Sequence, residues 1–198
     1  RTTRPKNMKK ILEAEIKKRV QFFNNVDQTL LLGIEDAVVM INRVIKNLNK
    51  ILVFGNGGSA TQSSHFVAEL VNRFYTTRQP INAISLTADM ANITSIANDF
   101  DYRHIYERQV DAVGSTGDIT IGISTSGTSE NVLLGLEKSK QKGIHTIALC
   151  GSNIEALKSI DTDVILSVKE TDTPLIQEVH LFILHFMAME IEKSILNR

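Results

Sequence analysis

The chain has 198 residues, 22 Lys+Arg against 22 Asp+Glu, and 42% hydrophobic residues. That is enough chain for a buried core, and the balance is ordinary for a globular protein, which excludes disorder as the main state. Zero net charge excludes a protein whose main business is neutralising nucleic-acid phosphates, and a single cysteine, Cys150, excludes a disulfide framework within the chain and thiolate zinc fingers. Pro5 precedes the first expected helix, which runs from about Met8 to Asn24 with an apolar stripe of Ile11, Leu12, Ile16, Phe22 and Phe23. A second helix is expected from about Asp27, a plausible N-cap, to Asn49, with Leu31, Ile34, Val38, Ile41, Ile45 and Leu48 recurring at three or four residues. Together they predict a helical hairpin whose apolar surface needs a subunit partner.

The period then changes. Short apolar runs at 51–54, 84–86, 119–123, 146–149 and 164–166 are separated mostly by helical patterns at about 59–75, 88–112 and 129–142, with 174–196 after the last. Buried strands alternating with helices predict βαβ units and a parallel sheet. The expected fold is α/β, a three-layer doubly wound domain of flavodoxin type with a five-stranded parallel sheet over residues 50–198, preceded by an N-terminal, oligomer-forming helical extension over residues 1–49. Pro80 and Pro174 fall at expected element boundaries. No apolar run reaches the roughly 18 residues of a membrane span. The basic start leads into amphipathic helix rather than a secretory leader, so a soluble, cytoplasmic protein is expected.

Ligands in such sheets sit beyond the carboxyl ends of the strands. After the first run comes Gly55-Asn56-Gly57-Gly58-Ser59 and then a helix. Glycines permit close backbone approach, and a helix N-terminus offers free N–H groups to an anion. The loop matches neither the dinucleotide fingerprint nor a Walker loop, so a nucleotide cofactor is disfavoured; a tight turn capped by Ser59 is the bland alternative. After the third run comes Ser124-Thr125-Ser126-Gly127-Thr128-Ser129-Glu130. Its hydroxyls and N–H groups can surround a phosphate as neutral donors. Two such loops at one sheet edge are more specific than either alone.

His65, Glu69 and Arg73 are spaced i, i+4, i+8 in the helix after the first loop, on one face. The first two can supply metal ligands from adjacent turns, or Glu69 a general base oriented by His65, or the face is simply solvated. His185 stands in the apolar stretch Phe182–Met187, where a core or interface histidine is the economical reading. Cys150, at a strand end, reads as a small buried residue.

The segments GNGGS, HFVAEL, AND, ISTSGTSENV and IQEVH together resemble the phosphoheptose isomerases, within the wider sugar-isomerase (SIS) domain group, over about residues 10–196. The resemblance implies interconversion of sedoheptulose 7-phosphate and D-glycero-D-manno-heptose 7-phosphate through an enediol, feeding bacterial surface heptose. It makes Glu69 and His185 the catalytic pair; the proton transfers then lead us to expect Glu69 as the base at one carbon and His185 as the acid/base on the opposite side. It implies one zinc per subunit, held by His65, Glu69, Gln177 and His185. It assigns phosphate binding to Ser59, Ser124, Thr125, Ser126 and Ser129 with the glycines Gly57 and Gly58, and other substrate contacts to Asn56, Arg73, Asp99 and Gln177. It also implies a homotetramer with active sites between subunits. One departure stands out: several relatives carry Arg where this chain has Leu175, and a sugar contact made by an Asp falls on Pro174, with Asp172 and Thr173 nearby. The rival readings are a non-catalytic SIS module of the replication-initiator-binding type, and an isomerase of a different sugar phosphate. The retained Glu69, His65, Gln177 and His185 argue against the first.

Overall fold

The computed structural model describes residues 7–197; Pro5 lies outside them. Five parallel strands, β1 (Ile51–Gly55), β2 (Ala83–Ser85), β3 (Ile119–Ser124), β4 (His145–Cys150) and β5 (Val164–Ser167), form one sheet in the order β2-β1-β3-β4-β5. The order reverses between β1 and β3, which pair directly from Ile51↔Ile119 to Gly55↔Ile123. This is the doubly wound arrangement the strand pattern predicts, and it sets the two candidate loops side by side at the switch point.

Strand alternation sorts the core into two layers. Ile51, Val53, Ile119, Ile121, Ile123, Ile147 and Leu149 face one side, where they meet α2 (Gln28–Lys46), α3 (Gly58–Val71) and α8 (Thr173–Leu196). Leu52, Phe54, Ala148 and Cys150 face the other, against α5 (Ile105–Val113), α6 (Glu130–Gln141) and the short α7 (Glu155–Ser159). Asp27 caps α2 by accepting the Thr29 N–H at 2.7 Å. The buried stripe of α2, Leu30, Ile34, Ala37, Ile41 and Val44, belongs to the same core cluster as the sheet. Its apolar face is therefore covered within the chain. The first helix, α1 (Met8–Asn24), has no buried residue; Met8, Ile11, Leu12, Ile16 and Val20 are all more than half exposed. It is fastened to α8 by Lys18–Asp172 at 2.7 Å, Arg19–Glu178 at 2.8 Å and the Phe23–Phe182 ring pair at 5.3 Å.

Two expectations change. The single helix expected over 88–112 is broken into α4 (Met90–Asp99), a 3-10 turn (Tyr102–His104) and α5. Asp89 and Asp101 each turn their carboxylates onto following N–H groups, Ala91 at 2.9 Å and Arg103 at 2.8 Å, and so start new helical segments. The cluster Asn98-Asp99-Phe100-Asp101 supplies the break. The second is α7, too short to show periodicity. Among the described residues no helix is long and apolar enough to cross a membrane.

Candidate active site at the sheet switch point

Gly55 ends β1 where a β-carbon would lie 2.7 Å from the Ile123 carbonyl, so only glycine lets β1 and β3 meet at this level. Gly57 follows with φ +54° and caps α3, where the Ser59, Ala60 and Thr61 N–H groups close onto the Asn56 and Gly57 carbonyls. Ser59 is buried in that first turn. Asn56 points towards α6. Its amide exchanges hydrogen bonds with that of Asn131, Nδ2 to Oδ1 at 2.8 Å in both directions, and the Tyr102 hydroxyl donates to Asn56 Oδ1 at 3.1 Å. The Tyr106 hydroxyl donates to the Gly55 carbonyl from below. Asn131 and Tyr102 were not singled out in the sequence; the only signal was a polar residue in the first turn after the hydroxyl loop.

The loop after β3 is a web of hydroxyls. Ser124 Oγ donates to Ser129 Oγ at 2.9 Å and lies 3.3 Å from Ser126 Oγ, which accepts the Thr128 N–H at 3.2 Å. Gly127, at φ +68°, makes the turn, and its missing side chain leaves room for the Asn153 carbonyl. Thr125 and Ser126 also line a cavity of about 280 Å3 with Ser152, Asn153 and Thr173. Asp172, by contrast, is tied to Lys18. Leu175 is fully buried in the core, while Pro174 sits exposed in the first turn of α8. Leu175 thus faces away from solvent.

Two turns along α3, His65 and Glu69 meet His185 of α8. His65 Nε2 lies 2.9 Å from His185 Nε2 and 3.4 Å from Glu69 Oε1, and one ligand atom from each of the three lies within 4.8 Å of the others. For bonds of about 2.0–2.1 Å in a tetrahedral site, ligand atoms stand roughly 3.3 Å apart. Two imidazole nitrogens and a carboxylate oxygen at this spacing fit a divalent cation, and without thiolate the set suits zinc without being exclusive to it. The Phe74 ring packs beside His185 with centroids 5.8 Å apart. His185, economically read as a core histidine, is half-buried at the rim of this cluster. Glu69 and His185, expected on opposite sides of a sugar, share one cluster within the chain.

The remaining expected residues fall elsewhere. Gln177 lies over the start of α3, where a β-carbon on Gly58 would come within 2.6 Å of its Nε2. Gly58 precedes His65 by seven residues, about 10 Å of helix. Arg73 does not share the helix face of His65 and Glu69, because α3 stops at Val71; it stands exposed in the following loop. Asp99 ends α4, exposed, with its carboxylate accepting the Asn98 amide at 2.8 Å. His180, one turn from Gln177, is fully buried. Burial pushes its imidazole down to about 4, against the Cys150 carbonyl 3.2 Å from Nε2, which favours the charged form.

Residues 16–151 match the model of the SIS domain family. The chain is 41% identical to a probable phosphoheptose isomerase of Thermoplasma acidophilum over 94% of its own length and 98% of that protein's. It is 42% identical to a phosphoheptose isomerase of Thermodesulfovibrio yellowstonii, over 93% and 90%. Its fold superposes on the phosphoheptose isomerase of Neisseria gonorrhoeae with a TM-score of 0.87 and 32% identity, covering 94% of this chain and 99% of that one.

Proposed function

Because the chain belongs to the SIS-domain family, and within it to the phosphoheptose isomerases, we propose that it is an aldose–ketose isomerase. Its substrate is the sugar phosphate sedoheptulose 7-phosphate, its product D-glycero-D-manno-heptose 7-phosphate, and its place is bacterial surface-heptose synthesis from cytoplasmic sugar phosphates. The observation that carries the chemistry is the cluster formed where His65 and Glu69, on the helix that follows the anion loop, meet His185 of α8.

The reaction moves one proton between C1 and C2 and one between their oxygens. The hydroxyls of Ser59, Ser124, Thr125, Ser126 and Ser129, with the N–H groups of Gly57 and Gly58, hold the phosphate and contribute binding energy remote from the reacting carbons. Asn56, Arg73, Asp99 and Gln177 contact the sugar, with Arg73 and Asp99 both exposed, one after the end of α3 and one at the end of α4. Glu69 takes the C1 proton while His185 protonates O2 through Nδ1, since its Nε2 faces His65, giving the cis-enediol. His185 then takes the proton from O1 as Glu69 returns one to C2. A carboxylate has two oxygens, so the one facing His65 leaves another for the proton. Such acid–base help is typically worth about 10²–10⁴-fold. His65, Glu69 and His185, joined by Gln177 if its amide swings from Gly58, would hold one zinc per subunit. Bound there, zinc supplies Lewis-acid stabilisation of the developing oxygen charge.

The exposed apolar stripe of α1 supports a homotetramer with sites completed between subunits. Within the proposed extension over 1–49, α1 makes that contact and α2 belongs to the core. A panel of ketose phosphates assayed for aldose formation tests the reading. The seven-carbon substrate should give the highest kcat/KM; preference for a shorter sugar, or binding of a replication initiator without turnover, would overturn it.

A further inference from the structure

The segment after α3 carries a buried ion pair that the reaction itself does not use. Arg78 and Glu192 are 2% and 4% exposed at their side chains, with Nε 3.7 Å from Oε1. Burying two charges is costly unless their hydrogen bonds are supplied, so the position of each bond is informative. Arg78 donates to the Leu70 carbonyl at 2.7 Å, the Gln79 carbonyl at 3.0 Å and the Glu69 carbonyl at 2.7 Å. Two of these acceptors are among the last carbonyls of α3, which have no partner within the helix. One belongs to Glu69 itself. Glu192, near the end of α8, accepts the N–H groups of Phe74 at 3.0 Å, Tyr75 at 2.9 Å and Thr76 at 3.0 Å. Burial works to raise this carboxyl, but those three donors and Arg78 hold it below its usual range. The loop it gathers presents the Phe74 ring to His185, at 5.8 Å.

We propose that Arg78 and Glu192 are positioning residues for the acid–base pair. Arg78 fixes the backbone of Glu69 from the helix end, and Glu192 folds the 74–76 loop so that Phe74 backs His185. This rests on the isomerase reading but concerns residues outside its contacts. A misplacement of about 1 Å can cost about a hundredfold in rate, so the pair acts on turnover rather than on substrate affinity. The anion loops lie at the opposite end of α3 and make none of these bonds.

The test compares Glu192→Gln, Arg78→Lys and Arg78→Met in the full-length chain. Three readouts are taken: kcat, KM for the sugar phosphate, and hydrogen exchange of the 72–78 segment by mass spectrometry. The expected result is a kcat lowered at least tenfold in Glu192→Gln and Arg78→Met, with KM within twofold. Arg78→Lys should recover part of the loss because an ammonium still reaches carbonyls. Exchange protection of 74–76 should fall in Glu192→Gln. A folded Glu192→Gln with wild-type kcat overturns the proposal, because a merely structural pair would lower the melting temperature and leave turnover per folded molecule unchanged. If the charge variants do not fold, Phe74→Leu keeps every backbone bond and removes only the ring beside His185. A fall in its kcat of about fivefold at unchanged KM supports the proposal, and an unchanged kcat overturns it. Wild-type protein that isomerises nothing would sink the isomerase reading, whereas intact protection of 74–76 in Glu192→Gln would sink the clamp alone.

Discussion

His65 Nε2 and His185 Nε2 come from helices 120 residues apart in the chain and face each other at 2.9 Å. Only one of two neutral rings can donate in such a contact; a shared cation satisfies both lone pairs at once. His65→Ala and His185→Ala should each weaken zinc binding by more than tenfold, read as metal per chain after dialysis against a graded chelator. Wild-type protein should retain about one zinc per chain. Equal retention by the variants would remove the two rings from the metal site.

The hydroxyl web predicts a loss of affinity. Ser124 Oγ is hydrogen-bonded to Ser129 and lies beside Ser126, so Ser124→Ala removes one donor and loosens two more. A hydrogen bond to a charged group is worth about 1.5–3 kcal/mol. KM for the sugar phosphate, and the inhibition constant of inorganic phosphate, should both rise by about tenfold or more, with a smaller change in kcat.

Two glycines should respond oppositely to alanine. Gly58→Ala would meet only the end of the Gln177 side chain, which can swing away, so folding stability should move by less than about 1 kcal/mol while turnover falls. Gly127→Ala combines φ +68° with a clash against the Asn153 carbonyl. It should cost about 1–3 kcal/mol or more and raise KM with it. Thermal melts alongside kinetics separate the two.

These contrasts show where the sequence was legible. The five strand runs, the capping Asp27 and both loops could be placed because alternation, glycine and hydroxyl clusters act locally. His65 and Glu69 could be paired because four residues make one helical turn. The meeting of His65 with His185 is a tertiary contact, and no spacing encodes it. It entered through the family resemblance. The i+8 spacing of Arg73 carries it onto the His65 face only in a continuous helix, and α3 ends at Val71 with Asn72 as its cap. Arg78 and Glu192 were invisible for a related reason: an isolated Arg and Glu in sequence look like surface residues, and only packing reveals that they are buried together.

Stability should depend on pH through His180. Its folded pKa is about 4 against an ordinary value of 6.5, so in that window the unfolded chain binds more protons than the folded one. Stability from keeping this ring neutral is present above about 6.5 and is lost as pH falls towards 4, by roughly 3 kcal/mol in all. His180→Gln should flatten the stability–pH curve between 6.5 and 4.5 in urea titrations; an unchanged slope would contradict this source.

Cys150 predicts a silent thiol. It is fully buried, and burial pushes it up to about 12 against the Ser167 hydroxyl, which favours the thiolate. Since the thiolate is the reactive form, thiol reagents at pH 8 should label it only on unfolding.

The central claim is that Glu69 and His185 carry the protons of an aldose–ketose exchange. Turnover of sedoheptulose 7-phosphate by wild-type, Glu69→Gln and His185→Gln protein tests it most directly. Wild-type protein should turn the substrate over, and each variant should lose at least about 10²-fold with unchanged circular dichroism. Near wild-type rates in both folded variants would contradict it.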